Sequence, residues 1–396
     1  MQHEYIDIFA GCGGLSLGLH QAGWSGLFAI EENADAFATL QNNLITELNS
    51  FTWPDWLTMK NHDINDLLEK YKDNLIALNG KVPLVVGGPP CQGFSMAGKR
   101  NSTDDRNELV NSYLRFIKIV KPKIVFFENV SGFSVGFSDC DEKETPFSER
   151  IVNSLKEMGY CVRWSLIDVS TYGVPQKRVR FILVGSLKKN ANLFFESLEN
   201  NKIPFLNKKG ISENVTVYQA IDDLRKAHGE VECPDSKNYK AGMYGETIST
   251  YQILMRKKIP DSMQTPNSHR YVKHRSDTED LFCKLMQVSS EPKRISPSQN
   301  LVVGLKKRGV TPLKPDYPCN TVTSIPDDYI HYSEPRVLTV REMARLQSFP
   351  DCFEFKGKYT TGGKLRRVDV PRYTQVANAI PPLFSEQVGQ ALKELL

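Results

Sequence analysis

The sequence predicts an α/β protein, a doubly wound parallel sheet joined to a second, smaller and loop-rich domain. Three observations carry this. Residues 1–185 repeat an apolar run, a turn and a stretch of helical periodicity, and strands that alternate with helices favour parallel order. The first apolar run feeds directly into a glycine-rich turn. From about residue 186 the alternation lapses into a segment rich in Lys, Asn, Ser and Pro. A chain of 396 residues suits two or three domains. The expected division is residues 1–185, residues 186–365 with a hinge, and a C-terminal segment, 366–396, that returns to the first domain.

Taken in order, the expected strands are residues 5–9, 27–30, 84–86, 124–127, 161–169 and 181–184. Leu109, Tyr113, Phe116, Ile117 and Val120 fall on one face of a helix between the third and fourth strands. A further helix is expected over 148–158, stopped by Gly159. Helical periodicity returns at 339–346, read as a structural segment, and at 383–395. Ligands of such a sheet gather at the carboxyl ends of its strands.

Composition narrows the class. At 40% apolar and 24% charged residues the chain is too hydrophobic for a disordered one. It has no apolar run approaching the roughly 18 residues that a membrane helix needs. The opening MQHEYIDIFAG lacks the parts of a secretory signal. Eight cysteines are scattered without a C-x-x-C pair, which argues against a disulfide scaffold or a standard zinc module and suits a reducing cytoplasm. The net charge is +4, but residues 186–320 hold 22 basic and 15 acidic residues, net +7, against 28 and 31 elsewhere, net −3. A basic lobe on a mildly acidic body suits an enzyme that grips a polyanion; ordinary surface scatter would give the same count.

Several short motifs carry chemistry. The first strand runs into Ala10-Gly11-Cys12-Gly13-Gly14-Leu15-Ser16-Leu17-Gly18, where glycines let the backbone turn sharply and approach a ligand. Glu31 follows about 20 residues on, where an acid can bind ribose hydroxyls. The dinucleotide pattern G-x-G-x-x-G is broken by Ser16. Asp63 is a further acid at a strand end, suited to an adenine amino group or simply to a helix cap. Cys91 stands in Gly87-Gly88-Pro89-Pro90-Cys91-Gln92-Gly93-Phe94-Ser95, placed as an exposed nucleophile after a strand, although a lone cysteine is commonly an inert hydrophobe. Glu128-Asn129-Val130 ends one strand and Gln176-Lys177-Arg178-Val179-Arg180 precedes another; a helix cap and a solvated edge strand are the plainer readings. Arg336–Pro350 and Gln375–Pro382 complete the set.

In this order the motifs resemble those of the DNA cytosine-5 methyltransferases, most closely the bacterial restriction-modification type. The likeness spans nearly the whole chain apart from about 190–310, the family's variable target-recognition region. It implies a Rossmann-like, S-adenosylmethionine-dependent methyltransferase sheet with a target-recognition domain. The cofactor would be S-adenosylmethionine, without a metal, held by Phe9, Gly11, Gly13, Gly14, Glu31, Asp63, Ile64 and Pro89, with Leu109 and Asn378 closing the pocket. The resemblance makes Cys91 the nucleophile, Glu128 the residue at the cytosine edge, and Arg178 and Arg180 the groups at the base and its phosphates. It places Gln92, Ser95, Lys99, Arg100 and Gln176 at the DNA. It also implies double-stranded DNA as substrate, a monomer, no membrane, and a cognate restriction endonuclease acting on the same site. Ala377 departs from the glycine usual before Asn378. A tRNA cytosine-5 methyltransferase is disfavoured, because that branch's Cys-Phe-Thr is replaced by Asn320-Thr321-Val322-Thr323. A non-catalytic DNA-binding regulator would have no need of Cys91.

The chemistry explains the residue types. Carbon 5 of cytosine is a poor nucleophile until a thiolate adds to carbon 6 and makes it enamine-like. An unperturbed thiol is only a few per cent ionised at neutral pH. A carboxyl at ring nitrogen 3 and a guanidinium at the carbonyl oxygen would stabilise the charge that develops. The base must leave the helical stack to be reached, at a cost of a few kcal/mol. Residues 93–106, small and basic, suit closing over it.

Overall fold

A computed structural model describes residues 3–90, 108–134, 147–288, 290–296, 309–361 and 369–396. The chain divides into two compact units, one of Met1–Asp168, Val179–Ile203 and Ser385–Leu396, the other of Val169–Arg178 and Pro204–Phe384.

The first unit is built on a six-stranded sheet: β1 (Glu4–Ile8), β2 (Ser25–Ile30), β3 (Leu84–Gly87), β4 (Ile124–Val130), β5 (Cys161–Asp168) and β6 (Val179–Ser186). Their order across the sheet is β2-β1-β3-β4-β6-β5. The first four run parallel. β6 runs antiparallel to both β4 and β5, which corrects the all-parallel expectation. The reason is length: β5 and β6 are separated only by residues 169–178, which hold a 3-10 turn and a two-residue strand, Gln176–Lys177, whereas a parallel crossover needs about a dozen residues or more.

Four short helices, α1 (Gly14–Gln21), α2 (Ala34–Leu40), α3 (Ile64–Lys70) and α4 (Lys72–Ala77), precede the longer α5 (Glu108–Val120) and α6 (Phe147–Glu157). α5 forms on the expected apolar spacing and buries Val110, Tyr113, Phe116, Ile117 and Val120 against Val85, Val125 and Phe127 of the sheet. Leu109, expected on that face, is only partly buried, since Val110 takes the core position. The Tyr113 hydroxyl, sealed in this core, donates to Phe126 O at 3.0 Å, as a buried polar atom requires. The C-terminal residues pack into the same unit, where the Trp24 indole donates to Gly389 O at 2.8 Å. Among the described residues no helix is long and apolar enough to cross a membrane.

The second unit has little sheet. Its helices are the end of α7 (Asn192–Lys209), then α8 (Val217–Ile221), α9 (Thr250–Arg256), α10 (Ser276–Met286), α11 (Val340–Leu346) and α12 (Arg372–Asn378). α11 is capped reciprocally: Glu342 N donates to Thr339 Oγ1 at 3.2 Å and Thr339 N to Glu342 Oε2 at 2.8 Å. Every residue of α11 is buried, Arg341, Glu342 and Arg345 included. Such charges survive burial only when paired. Arg345 donates to Asp351 at 2.5 and 2.6 Å, to Asp223 at 3.2 and 3.1 Å, and to Ala220 O at 2.9 Å. Glu342 receives Arg336 through both oxygens, at 2.8 and 2.6 Å. Burial alone would raise the Asp351 carboxyl; Arg345 outweighs it and holds the group below its ordinary value.

Removing the guanidinium while keeping its volume would leave buried Asp351 with the Tyr244 hydroxyl as its close partner and Asp223 with Arg256 alone. Arg345→Met should therefore lower the free energy of unfolding by about 3–5 kcal/mol, measured by urea denaturation. A loss below about 0.5 kcal/mol would mean that the network contributes nothing to stability.

Candidate active site

At the end of β1 the chain turns left-handed three times in five residues, at Phe9 (φ 64°), Gly11 (φ 57°) and Gly13 (φ 91°). Gly13 is needed twice over. A side chain disfavours its φ, and a Cβ there would lie 2.6 Å from Leu44 Cδ1. Gly14 then opens α1, whose N-terminus receives no side-chain cap from Gly13. The turn is tied to the end of β2. Ala10 N donates to Ile30 O at 3.0 Å, and Gly11 N to Glu31 Oε2 at 2.9 Å. The other oxygen, Oε1, accepts from Asn33 N at 2.8 Å. Burial raises the Glu31 carboxyl, and the amides of Asn33 and Gly11 oppose that rise.

Asp63 lies in the adjacent loop, which is joined to β2 by His62 N donating to Glu31 O at 2.9 Å. Its Oδ1 caps α3, accepting from Asn65 N at 2.8 Å and Asp66 N at 3.0 Å. Ile64, the next residue, is buried in the core. The first turn of α5, which carries Leu109, docks on α3 through Ser112 Oγ and Asn65 Oδ1 at 2.6 Å. Phe9, Gly11, Gly13, Gly14, Glu31, Asp63, Ile64 and Leu109 are thus brought to neighbouring strand and helix ends.

β3 and β4, paired side by side, deliver a second cluster. Asn129 Nδ2 donates to Pro89 O at 3.3 Å. Gly88 passes so close to Glu128 that a Cβ would lie 3.2 Å from Oε2 and 3.3 Å from its carbonyl oxygen. Glu128 Oε1 is 2.9 Å from Arg180 Nε, with both side chains largely buried. Burial pushes the Arg180 guanidinium down from its ordinary value, and Glu128 opposes that shift. A carboxylate and a guanidinium at one strand end can together address a planar ring's donor and acceptor edge. Cys91, Gln92, Ser95, Lys99 and Arg100 lie outside the described residues; Pro90, just before Cys91, is exposed.

Two arginine-motif residues point elsewhere. Gln176, expected at DNA, is fully buried in the second unit. Its Nε2 donates to Gln347 Oε1 at 2.8 Å and Leu346 O at 3.2 Å, and its Oε1 accepts from Val322 N at 2.8 Å. A side chain occupied at both ends inside the protein does not reach a duplex, so that expectation is corrected. Arg178 Nη2 donates to Ala377 O at 2.9 Å and Ala379 O at 3.2 Å, on either side of the exposed Asn378. Gln347, which sequence reasoning did not single out, also donates to Val376 O at 2.8 Å and Ala379 O at 3.2 Å. A second omission is Asp7 of β1, which accepts from Ser16 Oγ of α1 at 2.6 Å. The available signals were an acid inside the apolar run YIDIF and a serine where the dinucleotide pattern has glycine.

Comparison with known proteins gives a consistent result. A family model described as C-5 cytosine-specific DNA methylase matches residues 3–394. The chain is 31% identical to Type II methyltransferase M.DdeI of Desulfomicrobium norvegicum, covering 98% of this chain and 88% of that protein. It is 31% identical to Type II methyltransferase M.XorII of Xanthomonas oryzae pv. oryzae, covering 99% and 84%. A crystal structure described as a DNA modification methyltransferase encoded within an E. coli prophage superposes with a TM-score of 0.68 at 22% identity, covering 99% of each chain, a likeness of fold.

Asp7 gives this site a pH signature. Burial pushes its carboxyl up to about 7, with the Ser16 hydrogen bond opposing and Glu31 adding to the rise. An acid raised in the folded state favours folding most below its unfolded pKa, and that stability is lost as pH climbs through 7. Between about pH 4 and 7 this residue should tilt the unfolding free energy downward by up to about 1.4 kcal/mol per pH unit. In Asp7→Asn that component should vanish, so the variant gains on the wild type across this window and not above it. Urea titrations at several pH values measure this; parallel profiles would contradict it.

Proposed function

The chain belongs to the C-5 cytosine-specific DNA methylase family, and from that membership we propose a sequence-specific enzyme that methylates C5 of a flipped-out cytosine through a covalent Cys91–C6 adduct. The observation that supports this best is the buried Glu128–Arg180 pair at the strand ends, beside Gly88 and Pro89, two residues ahead of Cys91 in the sequence, and in the same unit as the Glu31-bound glycine turn.

S-adenosylmethionine fits the residues present, and when bound it supplies an electrophilic methyl group on a sulfonium centre. Glu31, already fixed by two amides, has lone pairs left for ribose hydroxyls. Asp63 caps α3 through one oxygen and has the other to offer the adenine amino group. Phe9, Gly11, Gly13 and Gly14 form the close backbone approach, and Ile64, Leu109 and Pro89 supply apolar walls.

The Cys91 thiolate adds to carbon 6, and the electron pair of the 5,6 double bond moves toward nitrogen 3 and the carbonyl oxygen. Glu128 meets the nitrogen edge and Arg180 the oxygen. Carbon 5 then takes the methyl group; loss of its proton to a base expels the cysteine and restores the ring. Arg178, engaged with the Ala377 and Ala379 carbonyls, serves in this reading by fixing the turn around Asn378. Gln92, Ser95, Lys99 and Arg100 stand for the DNA contacts of the segment after Cys91, and residues 186–365 for target recognition. The names of the relatives, Type II methyltransferases, support a role in protecting host DNA from a cognate restriction endonuclease.

Expression in a methylation-free host, with 5-methylcytosine mapped across its DNA, should return one short sequence motif; an unmethylated genome would overturn the proposal. Cys91→Ala should retain less than about a thousandth of wild-type transfer while still binding S-adenosylmethionine by calorimetry. DNA carrying 5-fluorocytosine at the target should trap the protein in a complex that survives denaturation, because no proton remains to be removed. A complex that dissociates in detergent would argue against the covalent route.

A further inference from the structure

The glycine turn is held from the strand side by Ile30 and Glu31, but its other end, α1, has no side-chain cap at Gly13. What anchors that end lies beneath it. Ser16 Oγ donates to Asp7 Oδ2 at 2.6 Å, with Asp7 1% and Ser16 0% exposed. The Tyr5 hydroxyl donates to Ser16 O at 3.4 Å. Residues 14–19 of α1 are all buried, and Ser16 is the one among them with a polar side chain. The first turn of α1 is therefore pinned to β1 at a single residue.

An apolar pair of the same shape would fill this space without a desolvation penalty, so stability alone does not call for an acid and a hydroxyl here. Direction does. A hydrogen bond to a buried carboxylate has one favourable geometry, whereas an apolar contact lets the helix slide or rotate. Of the three left-handed residues in this turn Phe9 is not a glycine, and such a residue holds that conformation only when its surroundings over-determine it.

We infer that Asp7 and Ser16 are a positioning pair that sets the glycine turn in its ligand-binding geometry, and so governs affinity for the methyl donor. This rests on the reading of that turn as the S-adenosylmethionine site. Neither residue touches the reacting atoms in this account; both act through the turn.

Calorimetry with S-adenosylmethionine on the full-length protein tests the pair. Wild type binding no S-adenosylmethionine would sink the reading of the site itself. If wild type binds, Ser16→Ala should weaken binding about tenfold, raising KM for S-adenosylmethionine while leaving kcat at saturation and KM for DNA nearly unchanged. The reciprocal swap, Asp7→Ser with Ser16→Asp, puts donor and acceptor back on opposite sides and should recover affinity to within about threefold. Ser16→Ala binding as tightly as wild type overturns the inference. So does a swapped variant no better than Ser16→Ala. Should Ser16→Ala fail to fold, the swap decides alone: a folded, tightly binding double variant supports the pair, and any other result rejects it.

Discussion

The carboxylate of Glu31 is the tie on which the first unit's chemistry depends. One oxygen takes the amide of Gly11 and the other the amide of Asn33, so one side chain locks the turn after β1 to the start of α2. A parallel sheet brings its strand ends together only coarsely, as a row of loops. Converting that row into a site takes cross-links between loops, and this is one. The His62–Glu31 backbone bond and the Asn129–Pro89 bond extend the same principle to the neighbouring ends.

Buried charge serves two purposes in the molecule. Around α11, Arg345, Asp223 and Asp351 satisfy one another with several short hydrogen bonds, leaving a saturated and inert network. Glu128 and Arg180 pair at 2.9 Å where strand ends gather, and the ends of such strands are where a sheet of this kind receives its ligands.

Much of this was legible in the residues. The strand positions followed from apolar runs, α5 from its spacing, and the turn, Glu31 and Glu128 from motifs at strand ends. Three features were not. The direction of β6 depends on how few residues separate it from β5, which apolar pattern does not encode. Gln176 and Arg178 share a motif with Arg180, but a motif gives spacing without orientation; only the fold sends Gln176 to Gln347 and Val322, Arg178 to the carbonyls flanking Asn378 and Arg180 to Glu128. The Asp7–Ser16 bond joins residues nine apart on different elements, and such pairings become visible only when the strand and helix are packed.

The reversed strand carries a consequence for how this sheet can be re-engineered. β6 pairs with β4 so that Arg180, near its beginning, faces Val130 at the end of β4. Had β6 run parallel, its first residues would sit at the opposite rim, some 20 Å away at about 3.3 Å per residue. The guanidinium beside Glu128 is thus a product of topology as much as of sequence. Grafting a helical crossover that made β6 parallel to β4 would keep both residues and still dismantle the pair.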